Sequence, residues 1–431
     1  VAMQTSLTSQ PRGNDDRVMR EAKEDGKRQG VGTMVYQNND KYHGEWYNGK
    51  RWGTGTCWYF NGDRYEGEWC RDMRNYRGIC YYASDDVYEG EWMDDQPHGR
   101  GILRYAGGDV YEGDFSRGLR EGEGTFTSPD GSKYKGSWKD GKKHGRGICL
   151  FSNGDRYEGK WKAGERSGTG IQQYVSGDRY EGKWQGGVPT GNGVLSMANG
   201  ARYEGSFRQG KRAGIGLCSF ANGDRYEGMW KDDARCGMGI SYYHTGDVYD
   251  GSFEGNARDG VGEMRYASGD VYKGEWRADK RHGEGSFNWA SGDSYEGEWA
   301  DDRRQGRGTI LYANGDKYEG EWQADQKSGD GIFLYANGDI YRGRFHNDKR
   351  HLTGVYIYAD TSEYRGGWSE DLMDGQGCFV FRNGDRYEGK WKHGVRQGKG
   401  RLIKVSGDVY DVTWLSETIG SVTYNNGDVY E

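Results

Sequence analysis

Tyrosine recurs at every twenty-third position, from Tyr42 through Tyr65, Tyr88 and Tyr111 to Tyr410, seventeen times in unbroken register. Four residues after each comes Trp or Phe, from Trp46 and Trp69 to Trp414, and Gly lies between the two in sixteen of the seventeen, Val412 being the exception. Three further Gly recur in each unit: a pair in its second half, as Gly168 and Gly170 follow Tyr157, and one near its end, as Gly154 follows Tyr134. A unit this short cannot bury a hydrophobic face alone and has to stack on its neighbours. Sixty of the 77 Gly fall on these four positions, so the glycine is placed and does not mark a low-complexity chain.

Inside a unit the period is 2, not 3.6. Tyr157, Gly159 and Trp161 share one face, while Glu158 and Lys160 share the other. The second half opens on Gly168 and Gly170 and in most units ends near a ring, such as Tyr174, Phe151 or Trp289. Each unit therefore reads as two short strands. Seven residues after the Tyr comes Gly, Asp or Asn in sixteen of seventeen units, including Gly49, Asp72, Gly141 and Asn256, which suit a left-handed turn. The other joint reads Asn-Gly-Asp or close to it, the strongest short-range hairpin signal. Pro97, Pro129 and Pro189 fall in these joints, where no ladder donor is lost.

Short joints on both sides require antiparallel pairing of consecutive strands. The expected fold is all-β: an open antiparallel meander of stacked 23-residue hairpins forming an elongated, twisted rod. Tyr157, Gly159, Trp161, Tyr180 and Trp184 typify the seam, with rings lying flat over bare glycine backbone as a stacked row. Only 33% of the chain is hydrophobic, which suits such a seam better than a globular core, while 14% aromatic residues argue against disorder. The expected organisation is a disordered or partner-bound tail over 1–18, a degenerate half-repeat cap over 19–41, sixteen repeats over 42–409, and a compressed closing repeat over 410–431.

Catalytic and metal constellations do not emerge. His98, His144, His282 and His351 share one unit position, and two strands per unit put even His98 and His144 roughly 20 Å apart, too far for one metal; they read as turn residues. The seven Cys form no pairing pattern, which points to reduced thiols. The Gly-x-Gly pairs are followed by no helix that would hold a phosphate. No carboxylate stands out from its neighbours as acid–base chemistry requires. The expectation is no enzyme, no cofactor and no metal; the net charge of -7 gives no sign of nucleic-acid binding, and no apolar run is long enough for a transmembrane helix.

Two rows of charge stand out. Lys or Arg comes nine residues after the Tyr in thirteen of seventeen units, including Arg51, Arg74, Lys143, Arg166, Arg212, Arg281, Arg304 and Arg350, and reads as a basic edge. The Asp of the other joint recurs in thirteen of sixteen units, as in Asp63, Asp155, Asp224 and Asp316, and reads as an acidic edge. Such margins either keep the chain soluble or dock it lengthwise on a partner. A third candidate is the irregular stretch 352–367, with Leu352 in place of Gly, Asp360 and Thr361 in an altered joint, and Gly367 on the outer face; it reads as a bend or contact site.

"YEGEW", "YEGKW" and the spaced Gly-x-Gly to Asn-Gly-Asp pattern resemble the MORN (membrane occupation and recognition nexus) repeat over about residues 19–431. The resemblance implies stacked β-hairpins and scaffolding roles, such as those in radial spoke heads of axonemes, parasite cytoskeletal collars, junctional membrane proteins, or regulatory modules attached to lipid kinases or methyltransferases. On that footing the expected partners are structural proteins of a large assembly, lateral copies of similar rods, or phosphoinositide lipids. The expected location is cytoplasmic and cytoskeletal, in a cilium or flagellum axoneme. The alternatives are a cortical scaffold on acidic lipid headgroups and a regulatory module of a longer enzyme.

Overall fold

The computed structural model describes residues 22–24, 26–415, 418–423 and 428–430. The expected tail over 1–18 lies outside them, as do parts of the cap and of the closing repeat. The chain divides into two units, Val1–Ala198 and Asn199–Glu431. Among the described residues every element is a β-strand, and within each unit the pairings are antiparallel and join sequence neighbours. Each unit is thus an open meander, the fold expected from the period.

One repeat shows the rule. Arg156–Lys162 is a seven-residue strand and Glu165–Gln173 a nine-residue strand. Tyr157 and Trp161 are buried while Glu158 and Lys160 are exposed, as the alternation requires. The strands run in register from Arg156↔Gln173 to Gly159↔Gly170, then slip, and resume at Lys160↔Ser167. The slip is a bulge, and Gly168 occupies it with a φ of 62°. On the outer face a side chain three residues after the Tyr can reach back and cap it: Oε1 of Glu45 accepts from the Thr54 amide at 2.9 Å, and Oε1 of Glu298 from Arg307 at 2.8 Å.

The joint after the Trp has the left-handed turn its residues suit, while the Asn-Gly-Asp joint is not the tight hairpin turn its sequence suggests. The joint after the Trp is the two-residue one. Its central residues are both left-handed, as in Ala163 and Gly164 (φ 52° and 93°) or Asp94 and Asp95 (47° and 66°), the mirror-image turn whose twist matches the strands. The Asn-Gly-Asp joint is wider. The Gly154 amide donates to Phe151 O at 2.9 Å and the Phe151 amide to Asp155 O at 2.8 Å; of its residues only Gly154 is left-handed (φ 90°). Asn-Gly therefore works here as an ordinary turn closed by a left-handed glycine, because Asn153 precedes that position and does not occupy it.

Two expectations are corrected. There is no bend at 352–367: Leu352 pairs with Trp368, Thr353 with Gly367 and Ile357 with Glu363 in the same register as every other repeat. Leu352 (φ 57°) and Tyr76 (φ 62°) take the left-handed backbone of the bulge glycine, an uncommon conformation for a bulky residue, and the ladder absorbs both. The four His are strand residues, not turn residues; His98 pairs with Glu91 and His282 with Glu275.

Candidate functional site: an aromatic seam with polar rungs

Along the seam each Tyr ring covers a pair of glycines. A Cβ built on Gly170 would lie 2.2 Å from the Tyr157 Oη, and one built on Gly159 would lie 2.5 Å from the Gly170 Cα. Both are closer than real Cβ contacts, so the two glycines let the strands' backbones and the ring occupy one layer. Tyr157 is fully buried, and its hydroxyl donates to Lys160 O at 3.0 Å. Burial pushes the hydroxyls of Tyr157, Tyr180, Tyr203 and Tyr226 up to about 12, which keeps them protonated donors.

Neighbouring rings meet edge to face and are not stacked. Trp161 lies between Tyr134 and Tyr157 at centroid distances of 5.3 and 5.2 Å, near perpendicular to both. Trp184 sits likewise between Tyr157 and Tyr180, at 5.2 Å from each. The positive edge of one ring against the negative face of the next is the favoured geometry. Each indole also reaches back one repeat: Trp161 Nε1 donates to Gly147 O at 3.3 Å and Trp184 Nε1 to Gly170 O at 3.2 Å. The ring-over-glycine expectation therefore holds for Tyr, while Trp acts as a hydrogen-bonded crosspiece.

The basic edge is not an open margin. Each of these cations pairs across its own hairpin with the Trp or Phe, as Arg166 does with Trp161, and its head group swings over the aromatic ring of the next repeat. The guanidinium of Arg51 lies 4.0 Å from the Trp69 ring, Arg74 4.3 Å from Trp92, and Arg166 4.4 Å from Trp184. Arg212, Arg281, Arg304 and Arg350 repeat this at 4.2–4.4 Å, and the Lys143 ammonium lies 5.1 Å from Trp161. Nη2 then donates to a carbonyl of the next turn: Arg166 to Gly187 O at 2.7 Å, Arg281 to Asp302 O at 2.8 Å, Arg350 to Asp371 O at 2.7 Å. The Arg281 side chain is 19% exposed. A partly desolvated cation on an indole face contributes more than an exposed one, so each of these cations joins its repeat to the following one.

The acidic row does the same on the other margin. Oδ1 of Asp155 accepts the amide of Val175 at 2.9 Å, Asp63 that of Ala83 at 2.8 Å, Asp224 that of His244 at 2.8 Å, and Asp316 that of Ala336 at 2.7 Å. In the sequence both rows read as charged edges. The available signal was constancy: a solvated charge has no reason to hold one position in thirteen repeats. In the irregular stretch, Asp360 accepts from the Ser362 amide and hydroxyl at 2.9 and 2.6 Å, and Thr361 (φ 75°) fills the place of the turn glycine. A Cβ on Gly367 would press on Asp374 O, which explains glycine there without invoking a contact site.

These rungs give two expected results. Arg281→Glu should destabilise by about 2 kcal/mol, since it removes a ring contact and a carbonyl bond and leaves an acid beside Asp302; a melting curve matching the parent would refute this. Asp316→Ala should abolish hydrogen-exchange protection of the Ala336 amide while sparing that of Ala313, whose acceptor is Asp293.

Among the described residues no group of three or more His, Cys, Asp or Glu is placed to hold a metal, and the seven Cys are free thiols. Among the described residues the arrangement is one of interlocking contacts between repeats. It defines a repeat-built scaffold and binding module, in which most hairpins within a unit are tied to the next by a ring, a cation and a carboxylate. The MORN repeat model matches seventeen consecutive segments, 24–41 and then end to end from 42–64 to 387–409. The chain belongs to the MORN repeat family.

No curated protein matches the chain. Solved structures similar to it include the TCP10 domain of Danio rerio CPAP in complex with a peptide of Danio rerio STIL, at 15% identity and TM-score 0.29, covering 53% of this chain and 95% of that one. The SAS-4 TCP domain of Drosophila melanogaster in complex with a proline-rich motif of Ana2 is 13% identical with TM-score 0.24, covering 48% and 100%. Virginiamycin B lyase from Staphylococcus aureus is 12% identical with TM-score 0.12, covering 71% and 91%. Likeness at this level adds nothing to the account given by the repeats themselves.

Proposed function

We propose that this chain is a non-catalytic scaffold that holds other structural proteins in a large assembly, and that the assembly is a ciliary or flagellar axoneme of the radial-spoke-head type. The observation that carries the scaffold reading is the division of labour between the faces. Rings, cations and carboxylates of the seam and margins are used between repeats, which leaves the outer face, with its exposed residues at fixed spacing, for partners. The axonemal placement rests on the resemblance to radial-spoke-head repeats. A lipid-binding scaffold is less well supported, because the Arg row that would meet headgroups is turned onto indole rings.

The test is fractionation of ciliated cells expressing the tagged chain. The expected result is retention in detergent-extracted axonemes and release only by high salt or chaotrope. Recovery in the detergent-soluble fraction, together with pelleting on phosphoinositide liposomes, would overturn the reading in favour of the lipid scaffold.

A further inference from the structure

On the outer face of unit Asn199–Glu431 one row of side chains departs from the charged pattern. It crosses successive strands: Ile215 lies opposite Met229, Met238 opposite Ser252, Val261 opposite Glu275, and Glu284 opposite Glu298. Ile215, Met229, Met238 and Val261 are 75, 46, 58 and 67% exposed. Elsewhere the position of Ile215 is held by residues such as Thr54, Arg77, Glu123 or Arg146, so three consecutive apolar residues there are particular to this segment. Contiguous exposed apolar surface with a polar rim marks a partner site, and Met adapts its shape to what it meets.

Three acids at one end of the row differ from their neighbours in having no cationic side chain paired with them. Neighbouring acids are neutralised: Glu204 by Arg202 at 2.7 Å, Glu227 by Arg225 at 3.2 Å, and Glu263 by Lys273 and Arg265 at 2.9 and 2.6 Å. Glu275, Glu284 and Glu298 are exposed and have no ion pair among the described residues. Glu284 and Glu298 stand directly opposite each other, an arrangement that costs stability unless a cation intervenes.

The backbone restricts the form of the occupant. Every strand from Lys211–Ser219 to Ser294–Ala300 is hydrogen-bonded to a neighbour on both sides, so no edge is free to accept an added strand. An occupant therefore cannot add a strand, and a helix, which satisfies its own amides and carbonyls, meets that condition. A second copy of the chain fits poorly, because the row from Ser206 to Glu298 holds no Lys or Arg to meet the three carboxylates.

We infer that the row from Ile215 to Glu298 docks an amphipathic helix of a partner protein, its apolar face on Ile215, Met229, Met238 and Val261 and a Lys- or Arg-bearing end over Glu275, Glu284 and Glu298. Eight strands at about 4.8 Å make the row roughly 33 Å long, the length of a helix of about 22 residues. The inference deepens the scaffold reading, but its test is independent of any cellular location.

The test is selection from a displayed library of helical peptides of that length against the whole chain, with the selected peptides then synthesised and titrated. The expected winners are apolar along one face and basic at one end. They should bind Ile215→Glu/Met238→Glu about tenfold or more weakly, and Glu284→Lys/Glu298→Lys comparably more weakly, the latter loss shrinking as salt rises. Gln376→Glu, at the equivalent position of a distant repeat, should bind as the parent does. All three variants change exposed side chains, and circular dichroism checks that each is folded. Failure to enrich helices over a scrambled library, or winners indifferent to both double variants, overturns the inference. So does a concentration-dependent dimer dissolved by Ile215→Glu, which would make the occupant a second copy.

Discussion

Valine in place of Gly170 is expected to unfold the repeat that contains it. The added Cβ would meet Tyr157 Oη at 2.2 Å and ring carbons within 2.7 Å, and the ring has no room to retreat because Trp161 and Trp184 flank it at 5.2 Å. Overpacking in a core that relaxes costs about 1–3 kcal/mol; here the ring is locked, so the cost should reach or exceed the upper end. Gly159→Val should be equally harmful for a different reason, since its Cβ would strike the Gly170 Cα at 2.5 Å and force the strands apart. Both are read by thermal melting and by limited proteolysis, with cleavage mapped to the altered repeat. A parent-like melt for either variant would mean that the ring does not lie over the glycine pair.

Trp161→Ala has a comparably large expected effect, about 3–5 kcal/mol. It removes a buried indole from between two Tyr rings, leaves Gly147 O without its donor, and takes away the surface beneath Lys143. Trp161→Phe should cost only about 1 kcal/mol, chiefly the lost hydrogen bond, because Phe115, Phe253 and Phe345 fill this place in other repeats at the same edge-to-face distance of 5.0–5.1 Å. Because contacts join nearest neighbours, amide exchange should rise in the flanking repeats and stay unchanged several repeats away. Loss of protection throughout the chain would refute the nearest-neighbour account.

The sequence disclosed what repeats by type and spacing. The buried Tyr–Gly–Trp face and the antiparallel meander follow from a period of 2 nested in a period of 23; strand ends do not, since Pro97 and Pro189, which read as joint residues, pair with Trp92 and Trp184 inside the strands Gln96–Arg104 and Val188–Ser196. What it concealed depends on direction. Nothing local says that Trp184 reaches back to Gly170 while Arg166 reaches forward to Gly187, because both bonds cross between repeats. One joint was misjudged for a related reason: left-handed backbone falls on Asp95 as its turn position suggests, but it also takes Asp94 and skips Asn153, which the Asn-Gly signal marks as the turn former. The apolar row was hidden by averaging. Ile215, Met238 and Val261 occupy an alternating outer position where one apolar residue is unremarked, and only strand register reveals that Ile215 lies opposite Met229.

The ties between repeats have a fixed reach. The Trp bond spans 14 residues, the Asp bond 20 and the Arg bond 21, at every repeat where they occur. Sequence separation between contacting residues therefore does not grow with the number of repeats, and relative contact order falls as the chain lengthens. No long loop has to close before a new hairpin is secured, so each one adds at the same small entropic cost as the last. A chain with two repeats deleted or duplicated in register should thus fold by the same hairpin-by-hairpin accretion, and duplication of a single repeat can change its length without inventing a new folding route.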